Sequence, residues 1–403
     1  MKARRPARQS ARGVAIGALV AVEDGARANE VLPALLAASG LDERDRSFAT
    51  ELVYGTVRMR RACDWLVDRF ARRELEPLVR VVARAGAYQL AFMRVPSYAA
   101  VSATVGEGPE RARPVLNAVL RRVGELVEPG PVPWPDLATR LSYPDWVVER
   151  LARDLGPQRA LAALQQMDRP AAVSTRVDGY VQDLGSQAVC EHLARLLPPV
   201  TASHSGRWQH GPLVLDICAA PGGKATFLAA SSALVVAADL SGPRVRRLAG
   251  NVSRLALGNV AVVQADATAA PFRPSSAGLV LLDAPCSGLG VLRRRPDARW
   301  RVSPEDVVRL AALQHQLLAT GASLVARGGL LAYCVCTLTR EETVGAEEHL
   351  LRELGIAGDR GQRASWEVVP PPGPPWEPWG RGALLLPQAA GTDGMYLLVL
   401  RRA

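Results

Sequence analysis

The sequence predicts an all-α domain followed by an α/β domain built on a parallel, doubly wound sheet. Three observations predict it. Apolar residues recur at helical spacing up to about residue 128. From residue 213 onward, apolar runs of strand length alternate with helical stretches, the pattern of βαβ units. Between these regions, Pro-Gly-Pro-Val-Pro-Trp-Pro at 129–135 breaks any helix and marks a linker. The expected organisation is a helical domain over 1–128, a linker and helical segment over 129–180, and the α/β domain over 181–403.

The first domain's helical windows are 31–36, 48–57, 65–70 and 79–92, separated by breaks such as Ser39-Gly40. Residues 146–167 fit one or two further helices. Strand-length runs follow at 213–218, 234–240, 260–266, 278–285 and 329–336. Helical candidates separate them at 223–230, 243–257, 304–325 and 340–354. A loop rich in Pro and Trp occupies 370–379, and 395–400 fits a final strand. There is no internal repeat.

Composition bounds the function classes. The 403 residues are 48% hydrophobic and 22% charged, as in globular proteins of more than one domain. The net charge of +10 favours a polyanionic partner such as RNA. That signal is diluted by composition bias, because the basic residues are arginines apart from Lys2 and Lys224. Six cysteines in this length do not make a disulfide framework, and no His or Cys set has zinc spacing, so no metal is expected. A basic stretch at 1–13 precedes apolar residues 14–22, but Glu23-Asp24 interrupts the run and no cleavage site follows. A helix is expected there instead. No apolar run reaches membrane-spanning length, and a cytoplasmic protein with reduced thiols is expected; a monomer is favoured.

Candidate site residues cluster at the ends of the expected strands, where ligands bind in such sheets. Asp216-Ile217-Cys218-Ala219-Ala220-Pro221-Gly222-Gly223-Lys224 follows the first strand and opens a helix. Its two glycines let the backbone approach a ligand closely. Its amides suit a carboxylate or phosphate, although such a turn alone can be an ordinary one. Asp239 ends the second strand, where a carboxylate can accept both hydroxyls of a ribose. Asp266 ends the third, where it can meet an adenine amino group, and Asp283 ends the fourth. Three acids at successive strand ends are hard to explain as packing, since burying carboxylates is costly. A dinucleotide dehydrogenase also uses a ribose-reading acid, but Gly-x-Gly-x-x-Gly is absent.

Two thiols should reach the same crevice. Cys286 lies in Asp283-Ala284-Pro285-Cys286-Ser287-Gly288, and Cys336 in Cys334-Val335-Cys336-Thr337. Taken singly, a free cysteine is usually a small buried hydrophobe. Two of them at neighbouring strand ends favour covalent chemistry. Carbon 5 of cytosine is too poor a nucleophile to take a methyl group unless a thiolate first adds at carbon 6. Asp283 could hydrogen-bond the N3 edge of the ring as charge builds there. Lys224 and Arg293-Arg294-Arg295 are candidates for favouring the thiolate, although the arginines equally fit a solvated loop.

The motifs at 216–224, 283–288 with 293–300, and 331–342 resemble those of the Sun/RsmB-type RNA cytosine-5 methyltransferases. Glu51-Leu52-Val53-Tyr54-Gly55-Thr56, Gly86-Ala87-Tyr88-Gln89-Leu90 and 115–122 resemble that family's NusB-like RNA-binding domain, and 391–396 matches its C-terminal motif. The resemblance covers nearly the whole chain and implies a Rossmann-like methyltransferase domain preceded by a NusB-like one. By resemblance, Cys218, Ala219, Ala220, Pro221, Gly222, Gly223, Lys224, Asp239, Arg244, Asp266 and Asp283 would line an S-adenosyl-L-methionine site. Cys336 would be the nucleophile and Cys286 would assist release, with Asp283 also catalytic. The implied substrate is a cytosine in small-subunit (16S) ribosomal RNA.

Three features depart from that family. Val335-Cys336-Thr337 stands where Thr-Cys-Ser is usual. The segment after Val101 is a few residues short. Residues 174–178 run almost directly into 180–187, without the usual RNA-contacting subdomain, and Asp178 replaces an Asn. The polar stretch 198–211, with Arg207, Trp208 and two histidines, could compensate in part. The shortening motivates a competing reading, a diverged methyltransferase acting on a peptide or specialised metabolite. A third is a non-catalytic RNA-binding factor with a vestigial cofactor site.

Overall fold

A computed structural model describes residues 10–93, 95–202, 209–356 and 365–403. The first residues of the basic N-terminal stretch, and His204, Arg207 and Trp208, lie outside the described residues. The chain divides into two compact units, Met1–Glu149 with Arg295–Arg301, and Arg150–Arg294 with Val302–Ala403.

The first unit is helical. Its main helices are α1 (Ala11–Glu23), α2 (Ala28–Ser39), α3 (Glu43–Arg58), α4 (Arg60–Asp68), α5 (Pro77–Ala91), α6 (Ser97–Glu107) and α7 (Arg113–Val127). Ser10 and Asp42 cap α1 and α3 by accepting from backbone amides at Gly13 and Asp45. The buried faces of these helices form one core around Leu52, Leu66, Val82 and Leu120. The Pro-rich run lies in this unit, where Trp134 packs 5.2 Å from Trp65 and 6.4 Å from Phe92, centroid to centroid. Residues 146–167, which from Arg150 onward belong to the second unit, fall in two helices, α8 (Asp145–Leu155) and α9 (Pro157–Met167). Gly156, at φ +84°, and Pro157 at the first position of α9 separate them.

The second unit carries one nine-stranded sheet among the described residues. Its strands are β1 (Leu213–Asp216), β2 (Leu234–Asp239), β3 (Val260–Gln264), β4 (Ala277–Asp283), β5 (Val325–Val335), β6 (Trp366–Val368), β7 (Glu377–Trp379), β8 (Gly382–Leu385) and β9 (Met395–Arg402). The order is 3-2-1-4-5-9-8-7, with β6 also on β9. The helices named below are α10 (Leu184–Leu196), α11 (Gly223–Leu228), α12 (Gly242–Arg254), α13 (Pro304–Leu324) and α14 (Ala346–Glu353). Helix α13 opens with a reciprocal capping box between Ser303 and Asp306.

The expected parallel sheet is observed for β1 to β5 only. Strand β9 runs antiparallel to β5, β6 and β8, and β8 antiparallel to β7. The links from β6 to β7, β7 to β8 and β8 to β9 are too short for a crossover helix, so each turns the chain back on itself. The sheet is therefore mixed. Order 3-2-1-4-5 reverses direction between β1 and β4, which opens a crevice beyond their carboxyl ends. No helix among the described residues is long and apolar enough to cross a membrane.

Candidate active site

The loop leaving β1 sits at the crevice. Ala219 donates its amide to Ala238 O on β2 at 2.8 Å, and Gly222 turns the chain with φ +107°. A Cβ on Gly222 would stand 2.5 Å from Leu248 Cδ1 of α12, so only glycine fits both the dihedral and the space. Arg176, buried in a short hairpin, braces the loop from behind by donating to Gly223 O at 2.8 Å. Tyr180 of the same hairpin donates to Pro221 O.

Asp239 is 3% exposed and accepts from the amides of Ala220 (3.2 Å) and Ser241 (3.1 Å). Arg244 lies 3.3 Å from its carboxylate and donates to Ala220 O at 2.6 Å, so it ties the β2 end to the glycine loop. Asp266 is exposed and caps a short turn. Its Oδ1 accepts the Thr268 hydroxyl and amide, and these bonds hold its pKa below the usual carboxylate range.

Asp216 ends β1 and opens the 216–224 motif. It is fully buried, and neither carboxylate oxygen has a well-aligned hydrogen-bond partner among the described residues. Burial first, then the neighbouring Asp283, push its pKa up to about 8, against the pull of Lys224 and the Cys218 amide. An acid inside a β strand in an otherwise apolar Leu-Val-Leu-Asp run was the available signal.

Lys224 was a candidate for favouring the thiolate. Its Nζ is instead 2.6 Å from Asp283 Oδ2. Burial works against its charge, but Asp283, then Cys334 and Cys190, outweigh it and raise its pKa. Cys334 Sγ also lies 3.5 Å from Asp283 Oδ1. Asp283 is thus a carboxylate held in place by a buried ammonium, with part of its surface open.

Cys286 and Cys336 meet with their sulfurs 3.4 Å apart. The hydrogen bond to Cys336, then burial, then the charges of Cys336 and Glu342 raise the Cys286 pKa well above the ordinary thiol value. Cys218 is also pushed up, mainly by burial. Of the arginine run, Arg293 donates to backbone carbonyls at Gly391 and Thr392, and Arg294 pairs with buried Asp393. The charge of Asp393, then its hydrogen bond, raise the Arg294 pKa over the opposing effect of burial. Arg295 belongs to the first unit. Glu342, the last residue of the 331–342 motif, is fully buried and bonds to Ser287 and Thr337, the residues that follow the two cysteines. No group of metal-ligating side chains occurs among the described residues.

This arrangement can hold a nucleoside bearing an amino group beside a thiol pair. Residues 207–401 match the family of 16S rRNA methyltransferases RsmB/F, and residues 9–125 match the NusB family. The chain is 36% identical to ribosomal RNA small subunit methyltransferase B of Thermus thermophilus, over 97% of each chain. It is 34% identical to Rv1407 of Mycobacterium tuberculosis, over 94% of this chain and 93% of that one. The crystal structure of PH0851 superposes over 100% of both chains with a TM-score of 0.75 at 20% identity, a likeness of fold.

Proposed function

The chain belongs to the 16S rRNA methyltransferase RsmB/F family, and we propose that it methylates carbon 5 of a cytosine in small-subunit ribosomal RNA through a covalent Cys336 adduct. As a member it is an RNA methyltransferase dependent on S-adenosylmethionine. The observation that carries the finer reading is the pair of sulfurs 3.4 Å apart, next to a lysine-anchored carboxylate.

The residues present fit the cofactor. The buried Asp216 carboxylate, without a well-aligned partner, suits the ammonium of the methionine part, and the glycine loop leaves room for close approach. Asp239 would take the ribose hydroxyls, braced by Arg244, and Asp266 the adenine amino group. Bound there, S-adenosylmethionine supplies an electrophilic methyl group.

The chain's residues do the rest. Cys336 adds as the thiolate to carbon 6 of the ring. A carbon–sulfur bond forms, and the π electrons of the 5,6 double bond move into the ring, making carbon 5 nucleophilic. Asp283, fixed by Lys224, accepts from the exocyclic amino group beside N3 and so holds the ring in place as the thiolate adds. After methylation a base removes the carbon 5 proton, the double bond re-forms, and the Cys336 sulfur leaves with the electron pair of the carbon–sulfur bond. Cys286, already in hydrogen-bond contact, gives that sulfur its proton.

Methyl transfer to unmodified small-subunit RNA, read by nucleoside mass spectrometry, tests this. We expect 5-methylcytosine with the native protein and background levels with Cys336→Ala. Cys286→Ala should instead accumulate a protein–RNA adduct stable to denaturing electrophoresis. Full activity in Cys336→Ala would overturn the reading.

A further inference from the structure

We propose that Glu342 is a positioning residue that clamps the two cysteine loops together and so sets the contact through which Cys286 releases Cys336. The inference rests on the thiol chemistry proposed above.

The clamp is visible in hydrogen bonds. From the loop after β4, the Ser287 amide donates to Glu342 Oε1 at 2.8 Å and the Ser287 hydroxyl to Oε2. From the loop after β5, Thr337 and Thr339 donate their hydroxyls to Oε2 at 3.0 and 2.8 Å. Each thiol therefore has its next residue bonded to the same carboxylate. Gln314 of α13 donates to Glu342 Oε1 at 3.2 Å and to Pro285 O, just before Cys286, at 2.8 Å. A buried carboxylate is costly unless its lone pairs are filled, and both oxygens here are supplied.

The backbone around Glu342 is built for the same purpose. Residues Glu341–Gly345 form a single π turn, in which Gly345 N donates to Arg340 O at 2.8 Å. Tyr333, fully buried on β5, donates its hydroxyl to Glu342 O at 2.7 Å. Gln314 and Tyr333 also meet at 3.0 Å, so the carboxylate cannot swing without breaking several contacts. The Glu342 charge reinforces the geometry by helping to hold Cys286 as a thiol, the form that can donate.

The alternative is that Glu342 supports the fold and nothing more. Two variants separate the cases. Glu342→Gln keeps the size and loses the charge; Glu342→Ala removes the clamp. In the full-length protein, we expect kcat to fall about 100-fold in Glu342→Ala. The KM for small-subunit RNA and the calorimetric affinity for S-adenosylmethionine should stay within about twofold of native in Glu342→Gln. Both variants should raise the fraction of enzyme trapped as RNA adduct, as Cys286→Ala does. If Glu342→Ala does not fold, Glu342→Gln alone decides by adduct level and kcat. Native kcat and adduct level in Glu342→Gln overturn the proposal, as does a loss of activity that follows lost cofactor binding. If Cys336→Ala keeps full activity, the thiol chemistry itself fails; if Cys336→Ala is inactive while Glu342→Gln behaves as native, only the clamp fails.

Discussion

Asp216 is a fully buried acid at the end of β1. An acid whose folded pKa is raised binds its proton more tightly in the folded state. With an ordinary value near 4 unfolded and about 8 folded, its contribution to stability is largest below about pH 4 and is lost as pH rises to about 8. Ligand binding has the opposite sign. If the carboxylate receives the ammonium of S-adenosylmethionine, it must be ionised, so affinity should strengthen as pH rises from about 6 to about 8. The ceiling is about tenfold per pH unit for one proton. Calorimetry at the two pH values checks this, and Asp216→Asn should both flatten the dependence and weaken binding. An affinity independent of pH in the native protein would remove Asp216 from the ammonium site.

Strand ends and the turns after them are the elements that build the crevice. Gly290, in the loop after β4, donates to Cys336 O at 3.0 Å and accepts from Gly394 N at 2.8 Å. A Cβ there would stand 2.5 Å from Gly394 O and 3.0 Å from Cys336 O, which backbone cannot yield cheaply. Gly290→Ala should therefore displace the Cys336 loop and lower kcat by about tenfold or more, with S-adenosylmethionine affinity unchanged, because the β1 loop is not involved. Steady-state kinetics with calorimetry on one preparation tests it. Much of this frame was legible in the sequence, because strand runs and the turns after β1, β4 and β5 carry strong local patterns. The antiparallel C-terminal edge was hidden, since β7 lies inside a Pro-rich run that carries no alternation. Glu342 was hidden for a related reason: its partners come from three places in the sequence, and a π turn has no apolar period of its own. Lys224 was legible as a site residue, but its pairing with Asp283, 59 positions away, was not.

At the scale of the whole chain, the first unit is completed by Arg295–Arg301, a segment placed between the Cys286 motif and α13. Its contacts explain why those residues are needed there. Arg299 is fully buried, with its guanidinium 3.9 Å from the Tyr143 ring centroid. It donates to Ser142 O at 3.1 Å and to Arg58 O at 3.3 Å, and Trp300 Nε1 donates to Val57 O at 2.7 Å. Val57 and Arg58 end α3, where helix carbonyls otherwise lack partners and a cation is favourable. Arg299→Ala would leave these carbonyls buried and unmatched beside a cavity. We expect a loss of about 3 kcal/mol in the unfolding of the first unit. The full-length variant should show this as faster amide exchange in α3 and α4, while the amides of β1, β4 and β5 keep native protection. Exchange in α3 and α4 equal to native would mean that the helices of the first unit are complete without the segment. Loss of protection in both units together would mean instead that they unfold as one, and the two could not then be treated as separate cooperative bodies.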